Sequence, residues 1–300
     1  MSDLVVLGNR NAGGGRASRA LPVLLDRLRS AGHGIRLIDE PGVAHARRAL
    51  APIDDAQGII ACGGDGTVHL ALQFALTQSV PLGIVPAGSG DDIARAFGLP
   101  HGRRRADVRR AIEHCVTNIG ATGSVDVIWA ETADGNREAF AGVLGAGFDS
   151  IVNAKANTLR FPPGTAKYVR AMLSELGRFH PIPYRLELGH ETVNVSGMLI
   201  AVGNGSTYGG GMKVCPGADV RDGVAEILIV GELPKLRFLT LFPKVFSGAH
   251  VEHPVTRVLT SAEFTLDAPG QTVWADGEYL GTTPVRLRVA PRALRVIGAA

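Results

Sequence analysis

Long hydrophobic runs are scarce in this 300-residue sequence. Its beginning, MSDLVVLGNR, holds four consecutive apolar residues, too few for a signal peptide. Residues 192–212 carry no charge, but glycines and polar side chains interrupt them, so they are not a membrane span. Cysteine is equally sparse. Cys62, Cys115 and Cys215 are odd in number, far apart and without metal-ligand spacing, which fits a reduced cytoplasmic protein with buried thiols. There is no GxxxxGK[ST] loop. Gly145-Ala146-Gly147 lacks the third glycine of a dinucleotide fingerprint, so a Rossmann NAD site is unsupported. Internal repeats are absent too. The run Gly102–Arg110 has five arginines (103, 104, 105, 109, 110) but no aromatic residue, which disfavours single-stranded nucleic acid. It reads either as a solvated helix face or as a surface drawn to anionic lipid head groups.

Glycine is what the chain has in quantity: 39 residues, beside 45% hydrophobic ones, the balance of a folded, loop-rich enzyme. The length predicts two domains. In the first, 1–120, strands at Leu4–Leu7, Ile35–Ile38, Ile59–Cys62 and Leu82–Val85 alternate with helical patterns near 16–31, 43–50, 68–76 and 92–97. That rhythm predicts an α/β domain, a parallel sheet with helices on both faces. The second, 121–300, is dense in short strand-like runs: 125–130, 139–144, 184–188, 193–202, 224–230, 264–266, 272–275, 285–289 and 294–297. It predicts a mainly β-sandwich domain, with the last strand free to pack back on the first. Helical stretches near 164–178 and 234–246 interrupt it. The second is strongly apolar (Phe238, Leu239, Leu241, Phe242, Val245, Phe246) and reads as core or as a membrane-docking helix.

Gly58-Ile59-Ile60-Ala61-Cys62-Gly63-Gly64-Asp65-Gly66-Thr67 concentrates the chemistry. An apolar strand ends in a glycine turn that opens a helix, so bare backbone N–H groups meet the positive helix end, where an anion can approach. Asp65 repels phosphate unless a metal or a ribose hydroxyl stands between them; an acidic βα turn tip is the plain reading. Glycine-rich loops at 8–15, 63–66 and 86–90 all fall at carboxyl ends of strands, where ligands of such sheets gather.

These stretches resemble the diacylglycerol kinase catalytic family, which includes bacterial lipid kinases and sphingosine kinases. Gly63–Thr67 matches its GGDGT, a motif shared with NAD kinases. Asn9 and Gly13 match its Asn-Pro-x-x-Gly, with Arg10 where proline is usual. Residues 86–95 resemble its Gly-Thr-x-Asn-Asp: Ser89 keeps the hydroxyl and Asp91 replaces the asparagine. For Asp91 and Asp92, helix N-capping is the plain alternative. Gly145–Asp149 resembles Gly-x-Gly-Phe-Asp, and Asn204-Gly205 with Tyr208–Gly211 resembles a glycine-rich segment of the cleft. Pro216, Ala218, Asp222 and Gly223 resemble an Asp-Gly loop that holds a structural Mg²⁺ in some members. Here Val224-Ala225-Glu226 follows in place of the usual Leu-Asp. Trp274-Ala275-Asp276-Gly277-Glu278 resembles the late Asp-Gly-Glu; taken alone it reads as a hairpin tip.

The resemblance implies an ATP-dependent lipid kinase that converts diacylglycerol to phosphatidate with Mg²⁺. It implies nucleotide contacts at Asn9, Asn11, Gly13, Gly63, Gly64, Asp65, Gly66, Thr67, Gly88, Ser89 and Asp92. Asp65 and Asp222 are the metal candidates. Glu278 is the expected general base, with Asp276 as its structural or electrostatic partner, in a cleft between the domains that closes against water. A lipid substrate implies reversible contact with an anionic membrane surface from the cytoplasmic side, and a homodimer is left open. Two alternatives stand: an NAD kinase, although no Thr-Gly-Ser-Thr-Ala segment is present, and a nucleotide-binding regulatory protein that has lost catalysis.

Overall fold

Apolar runs without alternation need cover on both faces, and the first strands receive it. The structure, a computed structural model, describes residues 3–40, 42–159, 165–189 and 191–299. It divides into two compact units: unit 1 takes the chain up to Asp126 and again from Arg292, and unit 2 takes Val127–Pro291.

Unit 1 is built from β1 (Leu4–Gly8), α1 (Arg16–Ser30), β2 (Ile35–Ile38), α2 (Val43–Leu50), β3 (Gly58–Gly63), α3 (Asp65–Gln78), β4 (Leu82–Pro86), α4 (Asp92–Ala96) and α5 (Arg105–Thr117). The strands pair in parallel in the order β2-β1-β3-β4. All residues of β1, β3 and β4 are buried, whereas the edge strand β2 is half open. Leu21, Leu24, Leu25 and Leu28 of α1 pack with Val108, Ile112 and Cys115 of α5 over Leu4, Val6, Ile60 and Val85. Ordered parallel pairing brings the carboxyl ends of β1, β3 and β4 to one edge, and each continues into one of the glycine-rich loops.

The chain passes through β5 (Thr122–Thr132) into unit 2: β6 (Arg137–Phe140), β7 (Val143–Gly147), α6 (Phe148–Thr158), α7 (Thr165–Leu176), β8 (Ile182–Glu187), β9 (Thr192–Gly203), β10 (Ala225–Gly231), α8 (Lys235–Leu241), β11 (Thr256–Ser261), β12 (Glu263–Asp267), β13 (Thr272–Ala275), β14 (Glu278–Thr282) and β15 (Val285–Ile297). The twelve-residue β9 serves two neighbourhoods. Its first half pairs with β8, which continues to β12 and β15. Its second half lies between β7 and β10, extended by β13-β14 on one side and β11 on the other. All these pairs are antiparallel. The core is one apolar cluster, in which Phe148 meets Phe179 tilted and Phe238 edge-on at centroid distances of 4.9 and 5.3 Å.

Two of the expected strand runs are divided differently from the sequence pattern, and α6, β11 and β14 are not among the expected elements. The run 139–144, expected as one strand, breaks at Ala141-Gly142 because other residues seize those peptide groups, as described below. Conversely, 285–289 and 294–297 join into β15, whose end pairs in parallel with β4 at Val296 and Leu82 in unit 1. Arg292, at φ +53°, bends this strand without ending it, and its N–H is held by Asp126 Oδ1 at 2.7 Å. In the apolar stretch 234–246, Phe238 and Leu241 are core, while Leu236 is 78% exposed. Among the described residues no helix is long and apolar enough to cross a membrane.

Candidate active site

The three glycine loops of unit 1 interlock. Asn9 N–H donates to Cys62 O at 3.2 Å and Ala87 N–H to Gly63 O at 2.7 Å, joining the first loop to the second and the second to the third. Asn9 Oδ1 accepts the Asn11 N–H at 3.2 Å, which rounds off the first turn. Arg10, which stands where the family has proline, is ion-paired with Asp39. The loops touch through their glycines. A Cβ on Gly64 would lie 3.2 Å from Gly88 Cα, one on Gly88 would press inside contact distance of Gly64 Cα, and one on Gly13 would strike the Ala87 carbonyl. Gly63 has no room either, because buried Thr67 fills the space a side chain would need. Such close packing leaves peptide edges, not side chains, as the surface of this corner. That is the property a polyphosphate cradle requires.

Each carboxylate expected near the phosphates has a protein partner. Asp65, at the first position of α3, accepts the Ile93 N–H of α4 at 3.1 Å through Oδ1, so it ties the second loop to the third. Asp92 is ion-paired with Arg95. Asp91 turns inward: it is 4% exposed, sits at φ +57°, makes no side-chain cap on α4 and accepts the Gly88 N–H at 2.8 Å. Burial pushes its carboxyl up to about 6, opposed by the Gly88 hydrogen bond and by Arg16. A raised carboxyl weakens the fold once ionised, above about pH 6, and costs nothing below its ordinary value of 3.8. Asp91→Asn retains an acceptor for Gly88 and tolerates the left-handed backbone better. It is expected to stabilise by about 1–2 kcal/mol at pH 8, and the gain should vanish near pH 3.5. Thermal unfolding at the two pH values checks this; an equal shift at both would remove the charge from the explanation.

Sequence reasoning missed Arg16. Its guanidinium donates to Gly88 O, across from the first loop to the third. An arginine directly after a glycine-rich loop reads as an ordinary helix start, and nothing in its spacing shows where it reaches. Ser89 itself is exposed, and its carbonyl takes Arg103 Nη2 at 2.7 Å.

In unit 2, Asp276 (φ +54°) and Gly277 (φ +85°) form the two-residue turn between β13 and β14, with Ala275 paired to Glu278. Both positive angles suit the mirror-image turn that matches strand twist. The stretch is therefore a hairpin tip, and a braced one. The Asp276 carboxylate accepts Gly142 N–H at 2.8 Å and Ala141 N–H at 3.2 Å, and its own N–H donates to Val143 O at 3.1 Å. From the other side Asn204 Nδ2 donates to Ala141 O at 3.0 Å, and the N–H groups of Asn204 and Gly205 converge on Gly142 O. Asp276 and Asn204 thus grip the peptide groups that split β6 from β7, and Glu278 stands on a rigid support. Below this, Ser150 Oγ donates to Gly145 O and Thr272 O, which fixes α6 to the root of the hairpin. Tyr208 donates to Asn153 Oδ1 at 2.7 Å, which anchors the glycine-rich segment 208–211. Burial raises Asp149 to about 6, and the Tyr208 hydroxyl offsets part of that rise.

Among the described residues no cluster of three or more His, Cys, Asp or Glu could hold a metal by side chains alone. Mg²⁺ needs only one or two carboxylates beside phosphates or carbonyls. Glu226 is 7% exposed, Gly217 N–H bonds its carboxylate, Oε1 has no partner, and the neighbouring Asp222 helps raise its pKa after burial. The Asp222 carboxylate is exposed and accepts the Val224 N–H at 3.0 Å, so the unpartnered Glu226 Oε1 is the feature of this loop that a cation would satisfy.

Residues 3–128 match the diacylglycerol kinase catalytic domain, and residues 142–298 match the YegS C-terminal NAD kinase beta sandwich-like domain. A protein of Mycobacterium tuberculosis named diacylglycerol kinase is 36% identical over 298 residues, 98% of this chain and 94% of that one. A crystal structure of a diacylglycerol kinase from Bacillus anthracis superposes with a TM-score of 0.70 at 19% identity, covering 99% of this chain and 96% of that one. An NAD kinase from Archaeoglobus fulgidus in complex with ATP gives 0.55 at 12% identity over 99% and 94%, a likeness of fold. With interlocked glycine loops in unit 1, a braced Asp-Gly-Glu turn in unit 2 and these matches along nearly its whole length, the chain belongs to the diacylglycerol kinase catalytic-domain family and is an enzyme of the lipid kinase type.

Proposed function

We propose that the protein transfers the γ-phosphate of ATP to the hydroxyl of a membrane lipid, with diacylglycerol as acceptor and phosphatidate as product. The observation that carries phosphoryl transfer is the convergence of three loops in which Gly13, Gly63, Gly64 and Gly88 are too closely packed for a side chain. The lipid acceptor is supported by the family and by the name of the mycobacterial relative. In this reading Gly13, Gly63, Gly64, Gly66 and Gly88, with the hydroxyls of Thr67 and Ser89, hold the phosphates, and Asn9, Asn11 and Asp92 shape the nucleotide pocket. Mg²⁺, when bound, spreads the developing charge, and Asp65 is the carboxylate offered to it. Glu278 takes the proton of the attacking hydroxyl, and Asp276 holds its turn in place.

An enzyme with such a substrate works at a bilayer surface. The exposed Leu236 and Phe246 and the basic run before and along α5 are the surfaces proposed for reversible contact with anionic lipid. The test is a panel of acceptors with labelled ATP in mixed micelles: diacylglycerol, monoacylglycerol, ceramide, sphingosine and NAD. Label is expected in phosphatidate above all. Label in NADP instead, or ATP binding with no transfer to any acceptor, would overturn the reading.

A further inference from the structure

A groove of about 300 Å³ runs between α1 and α5, entirely within unit 1. Five arginines line it, Arg16 and Arg19 from α1 and Arg103, Arg105 and Arg109 from α5 and the residues before it, and no carboxylate is among the lining residues. The acids nearby are already used. Asp107 accepts the Arg104 N–H and pairs with Arg110, and Glu113 is ion-paired with Arg27. Arg110 of the basic run is thus paired locally, while Arg103, Arg105 and Arg109 line the groove with Arg16 and Arg19. Arg16 has the Asp91 carboxyl as a neighbour, but the other four guanidinium groups meet no carboxylate in the groove's lining and repel one another, and an anion between them reverses the sign of that energy. Arginine clusters favour phosphate, which accepts paired hydrogen bonds from the planar fork. The floor is apolar, with Val108 and Ile112 of α5 and Val23 of α1, the last 41% exposed. A bare inorganic anion leaves that floor uncovered, whereas an amphiphile covers it.

Two of the arginines also reach the nucleotide loop: Arg16 bonds Gly88 O and Arg103 bonds Ser89 O. Whatever draws these guanidinium groups into the groove acts on the backbone that packs against Gly64. By thermodynamic reciprocity the nucleotide then acts on the groove to the same extent.

We propose that this groove binds the phosphate head group of a single anionic phospholipid, with the glycerol and first methylenes on its apolar floor, and that occupancy is coupled to nucleotide binding through Arg16 and Arg103. The proposal rests on the reading of the protein as a lipid kinase, but its test needs no turnover. Dihexanoyl phosphatidylglycerol, kept below its micelle concentration, is titrated calorimetrically into the full chain, with dihexanoyl phosphatidylcholine and inorganic phosphate as separate arms. Saturable one-to-one binding of the anionic lipid is expected, with both controls much weaker. Arg19→Gln with Arg109→Gln, exposed positions outside the nucleotide loops, should weaken it by on the order of tenfold or more. ATP affinity without lipid should stay unchanged. Saturating lipid should shift ATP affinity about fivefold or more in the parent protein and not in the double variant. Arg105→Gln serves as a second variant if the double one melts early. Absence of saturable binding, equal binding of phosphatidylcholine, full competition by inorganic phosphate, or an unaltered double variant would each overturn the proposal. A chain that binds the lipid but phosphorylates no lipid alcohol would instead defeat the kinase reading and leave the groove standing.

Discussion

Gly88→Ala should cost the protein its ATP. A single methyl group at this position meets Gly64 Cα inside contact distance and Asp91 Oδ1 at 3.0 Å. The first neighbour is backbone at the start of α3 and cannot rotate aside, so the second and third loops must move apart. Overpacking of this kind costs about 1–3 kcal/mol in stability, which the unit can bear because the residues of its apolar core lie outside the loop. The effect on the site is larger. A cradle displaced by about 1 Å loses on the order of 100-fold in a geometry-dependent interaction, and ATP affinity is expected to fall by at least that factor. Gly64→Val should behave similarly, by wedging against Gly88. Gly98→Ala is the control: its φ of +69° strains an added methyl group, but open space surrounds it, so the variant should lose a little stability and no ATP affinity. Calorimetric titration with ATP, beside thermal unfolding, gives both numbers. Unchanged affinity in a normally melting Gly88→Ala protein would remove the glycine corner from the site.

How much of this was visible in the sequence depends on the range of the interaction. The alternation of strands and helices and the strand-turn-helix at 58–76 are local, and the sheet of unit 1 follows from them. The family and the fold class were accessible because the motifs keep their residue types. Asp91 shows the limit. Its motif position left open whether the carboxylate faced away from the phosphates, added to the need for Mg²⁺ or capped a helix; in the structure its side chain makes no cap and is taken by the Gly88 N–H. Nothing local announces that Ala141-Gly142 will be held by Asp276 and Asn204, from 134 and 62 positions away in the chain. The short edge strand β11 was missed because half-exposed strands lack the apolar alternation that betrays buried ones. Likewise, a run of arginines does not disclose which of them find carboxylates. That sorting is done by Asp107 and by the facing surface of α1.

Replacing each acid of the Asp-Gly-Glu turn by its amide should separate chemistry from support. The Asp276 carboxylate is spent on two backbone N–H groups, so Asp276→Asn turns an NH₂ toward one of those donors and leaves it unsatisfied. A buried donor without a partner costs about 1–3 kcal/mol. The variant should therefore melt several degrees lower and also lose activity, because the turn that carries Glu278 loosens. Glu278→Gln preserves size and hydrogen-bonding capacity, and the Ala141 and Gly142 N–H groups are already taken by Asp276, so Tm should stay near the parent value. A carboxylate base typically contributes 10²–10⁴-fold. Hence kcat is expected to fall by about 100-fold or more, with little change in ATP affinity. The two measurements together decide the assignment. If Asp276→Asn is inactive at an unchanged Tm while Glu278→Gln turns over normally, Asp276 is the base. If both retain parental turnover, the stretch is only a hairpin tip and the proton acceptor lies elsewhere.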